Sequence, residues 1–118
     1  MTYVTGFVLA VPADNKQAYI ETAEKFWELA KDFGALSQVE CWEADVQDGH
    51  TTDFRRSVKA EEGEKIVFSW VTWKDKDTAK AAETKMMEDP RMADFGDMPF
   101  DGKRMVYGGF EPIVWKEA

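Results

Sequence analysis

The sequence predicts an α+β domain whose strands and helices follow one another as βαββαβ. Three observations predict it. Apolar residues recur with a period of two along Tyr3–Val11 and Lys65–Trp73, the spacing of a strand. From Asp14 to Phe33 and from Lys76 to Glu88 they recur every three or four positions, the spacing of an amphipathic helix. The chain is 118 residues long, the size of one domain, and no low-complexity tract or linker divides it.

The first strand is apolar on both sides, with Tyr3, Phe7, Leu9 and Val11 on one face and Val4, Val8 and Ala10 on the other. Gly6 within it predicts a bulge or a close backbone approach. Pro12-Ala13-Asp14 turns the chain, with Asp14 as N-cap and Gln17 at capping-box spacing. Tyr19, Ala23, Phe26, Ala30 and Phe33 form the buried stripe of the helix, widened by Trp27 and Leu29, and Gly34 fits its C′ position. Leu36–Asp45 is a more polar strand suited to a sheet edge, with Val39 and Cys41 alternating with Glu40 and Trp42. Val46–Phe54 is a loop carrying His50, the only histidine.

Lys65–Trp73 is the strongest strand, with Ile66, Phe68 and Trp70 on one face and Val67, Val71 and Trp73 on the other. A strand apolar on both faces belongs inside a covered sheet. The second helix, capped by Asp75, buries Ala79, Ala82 and Met86; Pro90 ends it and starts a short turn through Met92 and Ala93. The last strand is expected over Arg104–Trp115, at an edge because of Pro112, and with a bulge at Gly108-Gly109.

Right-handed crossovers that interleave two such units give a four-stranded antiparallel sheet of order 4-1-3-2 with both helices on one face, a ferredoxin-like domain. The other face keeps large apolar groups. An exposed patch of that kind marks an interaction surface. The economical solution is a homodimer whose open sheet faces meet, a dimeric α/β barrel with two-fold symmetry. Five Trp, eight Phe and three Tyr supply more ring surface than a small monomer needs, at about 150–250 Å² each.

A net charge of −8 and a pI near 4.6 set the chain against the field of nucleic acid and of anionic lipid, so neither is an expected partner. The longest apolar run, Phe7–Pro12, is far shorter than the roughly 20 residues of a membrane helix. One cysteine, Cys41, excludes an intramolecular disulfide. The N-terminus runs directly into strand sequence, without a basic and then apolar leader. A soluble, cytoplasmic protein is expected.

Several runs are familiar together: Tyr-Val-Thr-Gly-Phe-Val-Leu at 3–9, Ile-Val-Phe-Ser-Trp at 66–70, Asp-Pro-Arg-Met at 89–92, and Met-Pro-Phe-Asp-Gly-Lys-Arg-Met-Val-Tyr-Gly-Gly-Phe at 98–110. Across nearly its whole length the chain resembles the DUF1428 family of small bacterial proteins, the last run being the most specific. The resemblance implies the same ferredoxin-like, dimeric barrel fold and no established activity. Arg56 matches a family arginine and Lys59 a later lysine, whereas Arg55 stands where the family carries a proline, which puts the rigidity of that loop in question.

The residues with chemistry to offer are few. Arg56 and Lys59 precede the third strand, and Lys103, Arg104 and Tyr107 begin the fourth. Together they could orient an anionic small molecule, although Asp53, Asp97 and Asp101 are there to pair with them. Gly6 and Gly108-Gly109 lie beside Phe7, Phe68, Trp70 and Tyr107, a pattern that fits either a pocket for a flat ligand or a bulged edge. The expectation is a protomer pocket for a small polar aromatic or anionic molecule, with Arg56, Lys59, Arg104 and Tyr107 orienting it and Phe68 and Trp70 as walls. A cofactor-independent monooxygenase, by analogy with other dimeric barrels, and a structural or regulatory dimer are the alternatives. His50 lacks a second histidine, so no metal and no cofactor are expected. Cys41 has no base beside it and is expected to be a small buried residue. The phosphate- and dinucleotide-binding glycine patterns and the Gly-x-Ser-x-Gly elbow do not occur.

Overall fold

The computed structural model describes residues 2–118 and has the predicted architecture. Strand β1 spans Tyr3–Pro12, helix α1 Lys16–Asp32, β2 Ala35–Trp42, α2 Phe54–Ser57, β3 Glu64–Trp73, α3 Lys76–Glu88 and β4 Val106–Phe110. The four strands pair antiparallel in the order β2-β3-β1-β4, so the two doubly apolar strands occupy the centre. Helices α1 and α3 lie on the face that carries Tyr3, Leu9, Val11, Val67, Val71 and Trp73, all buried.

Leu29 and Ala30 of α1 and Ala79, Ala82 and Met86 of α3 complete the core against Val71 and Trp73. The fully buried Leu9, Val11, Leu29 and Val67 are each worth about 1.5–3 kcal/mol of burial. Helix α3 starts as predicted, with Asp75 Oδ1 accepting from the Thr78 amide at 2.8 Å. Gly34 ends α1 with φ of 110°, and a Cβ there would lie 2.7 Å from Thr78 Cγ2. Glycine is needed at that site for its conformation and for the close approach.

Several local expectations change. Asp14 does not cap α1. It sits in a 3-10 turn over Ala13–Asn15, and Asn15, the N-cap position, sends its side-chain amide to Pro99 O at 3.0 Å instead. The last strand is only Val106–Phe110. Gly102–Arg104 form a 3-10 turn, and Pro112 lies beyond the ladder. Gly6 and Gly108-Gly109 make no bulge, because the β1–β4 register runs unbroken from Val4↔Phe110 to Val8↔Val106. They are instead places of close approach: Phe110 covers Gly6 and Gly108, and a Cβ on Gly109 would meet the Tyr3 hydroxyl at 1.7 Å. The irregularity in the sheet falls between Ala35 and Ser37 of β2.

The loop before β3 contains the unpredicted α2. Asp53 caps it, accepting from the Arg56 amide at 2.8 Å. Val58, 1% exposed, packs with Ala10 and Ile66, so this segment covers one end of the second sheet face. Arg55, in place of the family's proline, donates to Glu43 and to Glu64 O and ties the segment to β2 and β3. The loop is held by an ion pair where a pyrrolidine ring would have stiffened it.

Candidate functional site

The structure brings Phe68, Trp70 and Tyr107 to one groove and leaves Arg56, Lys59 and Arg104 outside it. Phe68 and Trp70 stand on the face away from α1 and α3, with ring centroids 5.7 Å apart and Phe54 edge-on to Phe68. Tyr107 pairs with Phe7 on the opposite face and stacks against its ring at the β4 edge. Tyr107 thus stacks on the ring of Phe7, and at the sheet edge it also borders the open-face groove that Phe68 and Trp70 line.

Both arginines are occupied. Arg104 grips Glu64 with two bonds of 2.8 Å and also donates to Asp101 at 3.1 Å and Lys59 O at 2.9 Å. Arg56 donates to Asp53 and to the carbonyls of Gly49, at 2.7 Å, and Thr51, at 3.1 Å, stapling the loop that holds the exposed His50. Lys59 terminates the α2 segment with φ of 50°. Its contribution is backbone geometry, and Arg104 uses its carbonyl. Asp53, Asp101 and Glu64 all have pKa values below the usual carboxylate range. Hydrogen bonds from the Arg56 amide, the Lys103 amide and the Arg104 guanidinium are the respective main causes.

Spaces remain on both faces of the sheet and along the outside of α1. On the open face a groove of about 640 Å³ runs over Val4, Val8, Phe68, Trp70, Phe110 and Trp115. Cys41 is exposed, not buried as expected, and pairs with Phe68 in the ladder on this same face. On the helix side, a cavity of about 170 Å³ lies between α1 and the sheet, walled by Phe7, Leu9, Phe26, Phe95, Phe100 and Met105. A neighbouring chamber of about 570 Å³ opens toward the β4 edge and shares Phe7, Phe26, Phe95, Met98 and Met105 with it.

The inner cavity carries a polar cluster that sequence reasoning missed. Tyr19, 8% exposed, donates its hydroxyl to Glu40 Oε1 at 2.6 Å. The Gln38 side-chain amide donates to Glu40 Oε2 at 3.0 Å and to Ala23 O at 3.1 Å, while its own Oε1 is buried without a partner. Buried Ser69 faces Glu40 across the β2–β3 ladder.

Burial raises the pKa of Glu40 more than its hydrogen bonds lower it, and burial together with Glu40 raises that of Tyr19. Glu40, exposed as a whole residue on the edge strand, also lines an outer groove along α1 with Tyr19 and Ala23. The Tyr19–Glu40 bond is thus a partition between the inner cavity and solvent. Two signals in the sequence pointed here. Strand alternation turns Gln38 and Glu40 inward with Trp42, and a tyrosine on a buried helical stripe needs a hydrogen-bond acceptor.

Among the described residues no group of three or more His, Cys, Asp or Glu side chains is placed to hold a metal. No described helix is long and apolar enough to cross a membrane.

The family model described as "Protein of unknown function (DUF1428)" matches residues 2–102. "Uncharacterized protein YbaA" of Escherichia coli K12 is 62% identical over 115 residues, covering 97% of this chain and 98% of its own. Among solved structures, an uncharacterized NIPSNAP domain protein from Burkholderia xenovorans superposes with a TM-score of 0.59 at 12% identity, covering 98% and 99% of the two chains. A dimeric ferredoxin-like protein from an uncultured marine organism gives 0.55 at 14% identity over the whole of both chains. SnoaB, a cofactor-independent oxygenase from Streptomyces nogalater, gives 0.51 at 14% identity, covering 97% and 95%. At these identities the likeness shows the fold.

Proposed function

The chain belongs to the DUF1428 family, whose description assigns no activity, and from that premise we propose a homodimer that binds a small polar aromatic molecule inside each protomer. One observation carries the ligand reading. A carboxylate and a tyrosine hydroxyl, paired at 2.6 Å, end a cavity that Thr22 and Ser69 also border and that rings and aliphatic groups otherwise wall. Apolar walls with a few convergent polar groups are the usual make-up of a small-molecule site.

Size and charge narrow the ligand. A cavity of about 170 Å³ is close to the roughly 150 Å³ that accommodates benzene, and the adjoining chamber leaves room for a second ring. Glu40 favours a hydroxyl donor over an anion, and Arg56 and Arg104 are committed to carboxylates of the fold. Of the two ligand classes that the sequence suggests, the polar aromatic is therefore the one the geometry supports. Titration with 2-naphthol, followed by tryptophan fluorescence, tests it. Saturable binding that weakens in Glu40→Ala supports the reading; no binding, or binding indifferent to Glu40, rejects it and leaves the structural or regulatory dimer.

The dimer rests on the second sheet face. Phe68 is 47% exposed, Val106 47% and Phe110 61%, with neither α1 nor α3 over them, and a protein described as dimeric shares the fold. Light scattering at micromolar concentration should give twice the chain mass, and Phe68→Asp should halve it. A monomeric wild type defeats the assignment.

A raised pKa also favours a second, enzymatic reading, in which Glu40 takes the hydroxyl proton of the bound molecule. That would align the protein with cofactor-independent oxygenases such as SnoaB, whose fold it shares. Oxygen uptake with a bound hydroquinone that is lost in Glu40→Gln while binding persists would support it. Binding without turnover would leave Glu40 as an anchor.

A further inference from the structure

Every methionine after the first lines one chamber. The chain has six; Met1 lies outside the described residues, and Met86, Met87, Met92, Met98 and Met105 all border the 570 Å³ space beside the Glu40 cavity. They come from separate segments: two from α3, one from the 3-10 turn over Pro90–Phe95, one from the loop after it and one from just before β4. Local sequence does not bring them together; the fold does.

Core packing accounts for only part of this. Met86 is 7% exposed and packs with Ala79, Ala82 and Trp73, whereas Met87 is 72% and Met98 43% exposed. Exposed thioethers at a rim fill no core. A thioether is polarisable and flexible, which suits a wall that adapts to flat ligands, and it is open to two-electron oxidation.

We propose that this chamber is the apolar half of the ligand site and also a site of reversible oxidation, in which a hydroperoxide converts Met87 and Met98 to sulfoxides and so weakens ligand binding. The inference rests on the ligand reading above and adds its regulation. The thioether sulfur attacks the terminal oxygen of the hydroperoxide. The S–O bond forms as the O–O bond breaks, and the departing oxygen leaves as water or an alcohol with the proton of the terminal hydroxyl. Sulfur loses two electrons and the peroxide gains them. The new S=O dipole keeps its water, and an aromatic ligand must strip that water to enter.

The experiment uses the full chain before and after mild hydrogen peroxide, with 2-naphthol as probe and peptide mass mapping as the chemical readout. One added oxygen should appear first on the peptides holding Met87 and Met98, last on Met86. The 2-naphthol affinity should fall about tenfold, the usual order for an unpaired polar group at an apolar contact, and methionine sulfoxide reductases should restore it. The double variant Met87→Leu/Met98→Leu, close to volume-conserving, should keep after peroxide the affinity it has before it. Oxidation at both positions with unchanged affinity, or an equal loss in the double variant, overturns the proposal alone. Failure of the untreated protein to bind 2-naphthol overturns the ligand reading and this inference with it.

Discussion

Two glutamates on one sheet have opposite fates. Glu64, at the start of β3, is 8% exposed and held by both arms of the Arg104 guanidinium, which keeps its pKa low. Glu40, in the middle of β2, receives hydrogen bonds from the neutral groups of Tyr19 and Gln38, and burial raises its pKa. The chain has 15 Lys and Arg and 23 Asp and Glu, so cations are the scarcer partner. Spending Arg104 on Glu64 stabilises a junction; leaving Glu40 without a cation keeps a proton acceptor at the end of a cavity. The same residue type reads as architecture in one place and as chemistry in the other, and the difference is the partner.

The largest expected effect comes from breaking the paired end. Arg104→Ala leaves Glu64 buried and unpaired and frees Lys59 O and Asp101. Removing one partner of a covered pair is strongly destabilising, and solvent within reach of the Arg104 guanidinium discounts the loss here. The thermal unfolding midpoint should fall by several degrees, more than for Glu40→Gln. The folded variant should still bind 2-naphthol, because Arg104 lines neither helix-side cavity. A stable Arg104→Ala that had lost binding would exchange the roles assigned to the two glutamates.

The next effect is at the other end of the comparison. Glu40→Gln keeps shape and removes charge, so stability should change little while 2-naphthol affinity drops about tenfold, the share of a charge-assisted hydrogen bond. Tyr19→Phe removes the same bond from the protein side and should strengthen donor binding at Glu40, since the ligand no longer competes with the phenol. If both variants lost affinity equally, the cluster would act as packing.

The fold was legible because it depends on periodicity. Val67, Val71 and Trp73 on one face and Phe68 and Trp70 on the other follow from alternation alone, and the capping of α3 by Asp75 follows from its side chain and position. The site was not legible, because it depends on which charges find each other across the sheet. Nothing near Arg104 in sequence names Glu64, 40 positions away, as its partner. The glycines misled for a related reason: Gly109 marks a close approach of Tyr3, from the far end of the chain, and a single strand read alone suggests only a bulge. Glu40 read only as one polar residue of an edge strand, and it acquired meaning once Tyr19 was placed against it.

The smallest effect is the most specific to the contrast, since the two glutamates should give stability slopes of opposite sign. Glu64 has a lower pKa folded than unfolded, so the unfolded chain binds more protons there. Its contribution is complete above the ordinary carboxylate value and is lost as pH falls through the depressed one. Glu40 has a higher pKa folded than unfolded. Its contribution is complete below the ordinary value and fades as pH rises through the raised one. Urea midpoints from about pH 3 to pH 8 for wild type, Glu40→Gln and Glu64→Gln separate the two. The stability of Glu40→Gln relative to wild type should climb with pH, and that of Glu64→Gln should decline. Solvent at the edge strand should hold the Glu40 part under about 1 kcal/mol, so it is the sign that decides. Parallel slopes would mean that Glu40 finds a counter-charge in solution, and its assignment as the proton acceptor of the cavity would fall.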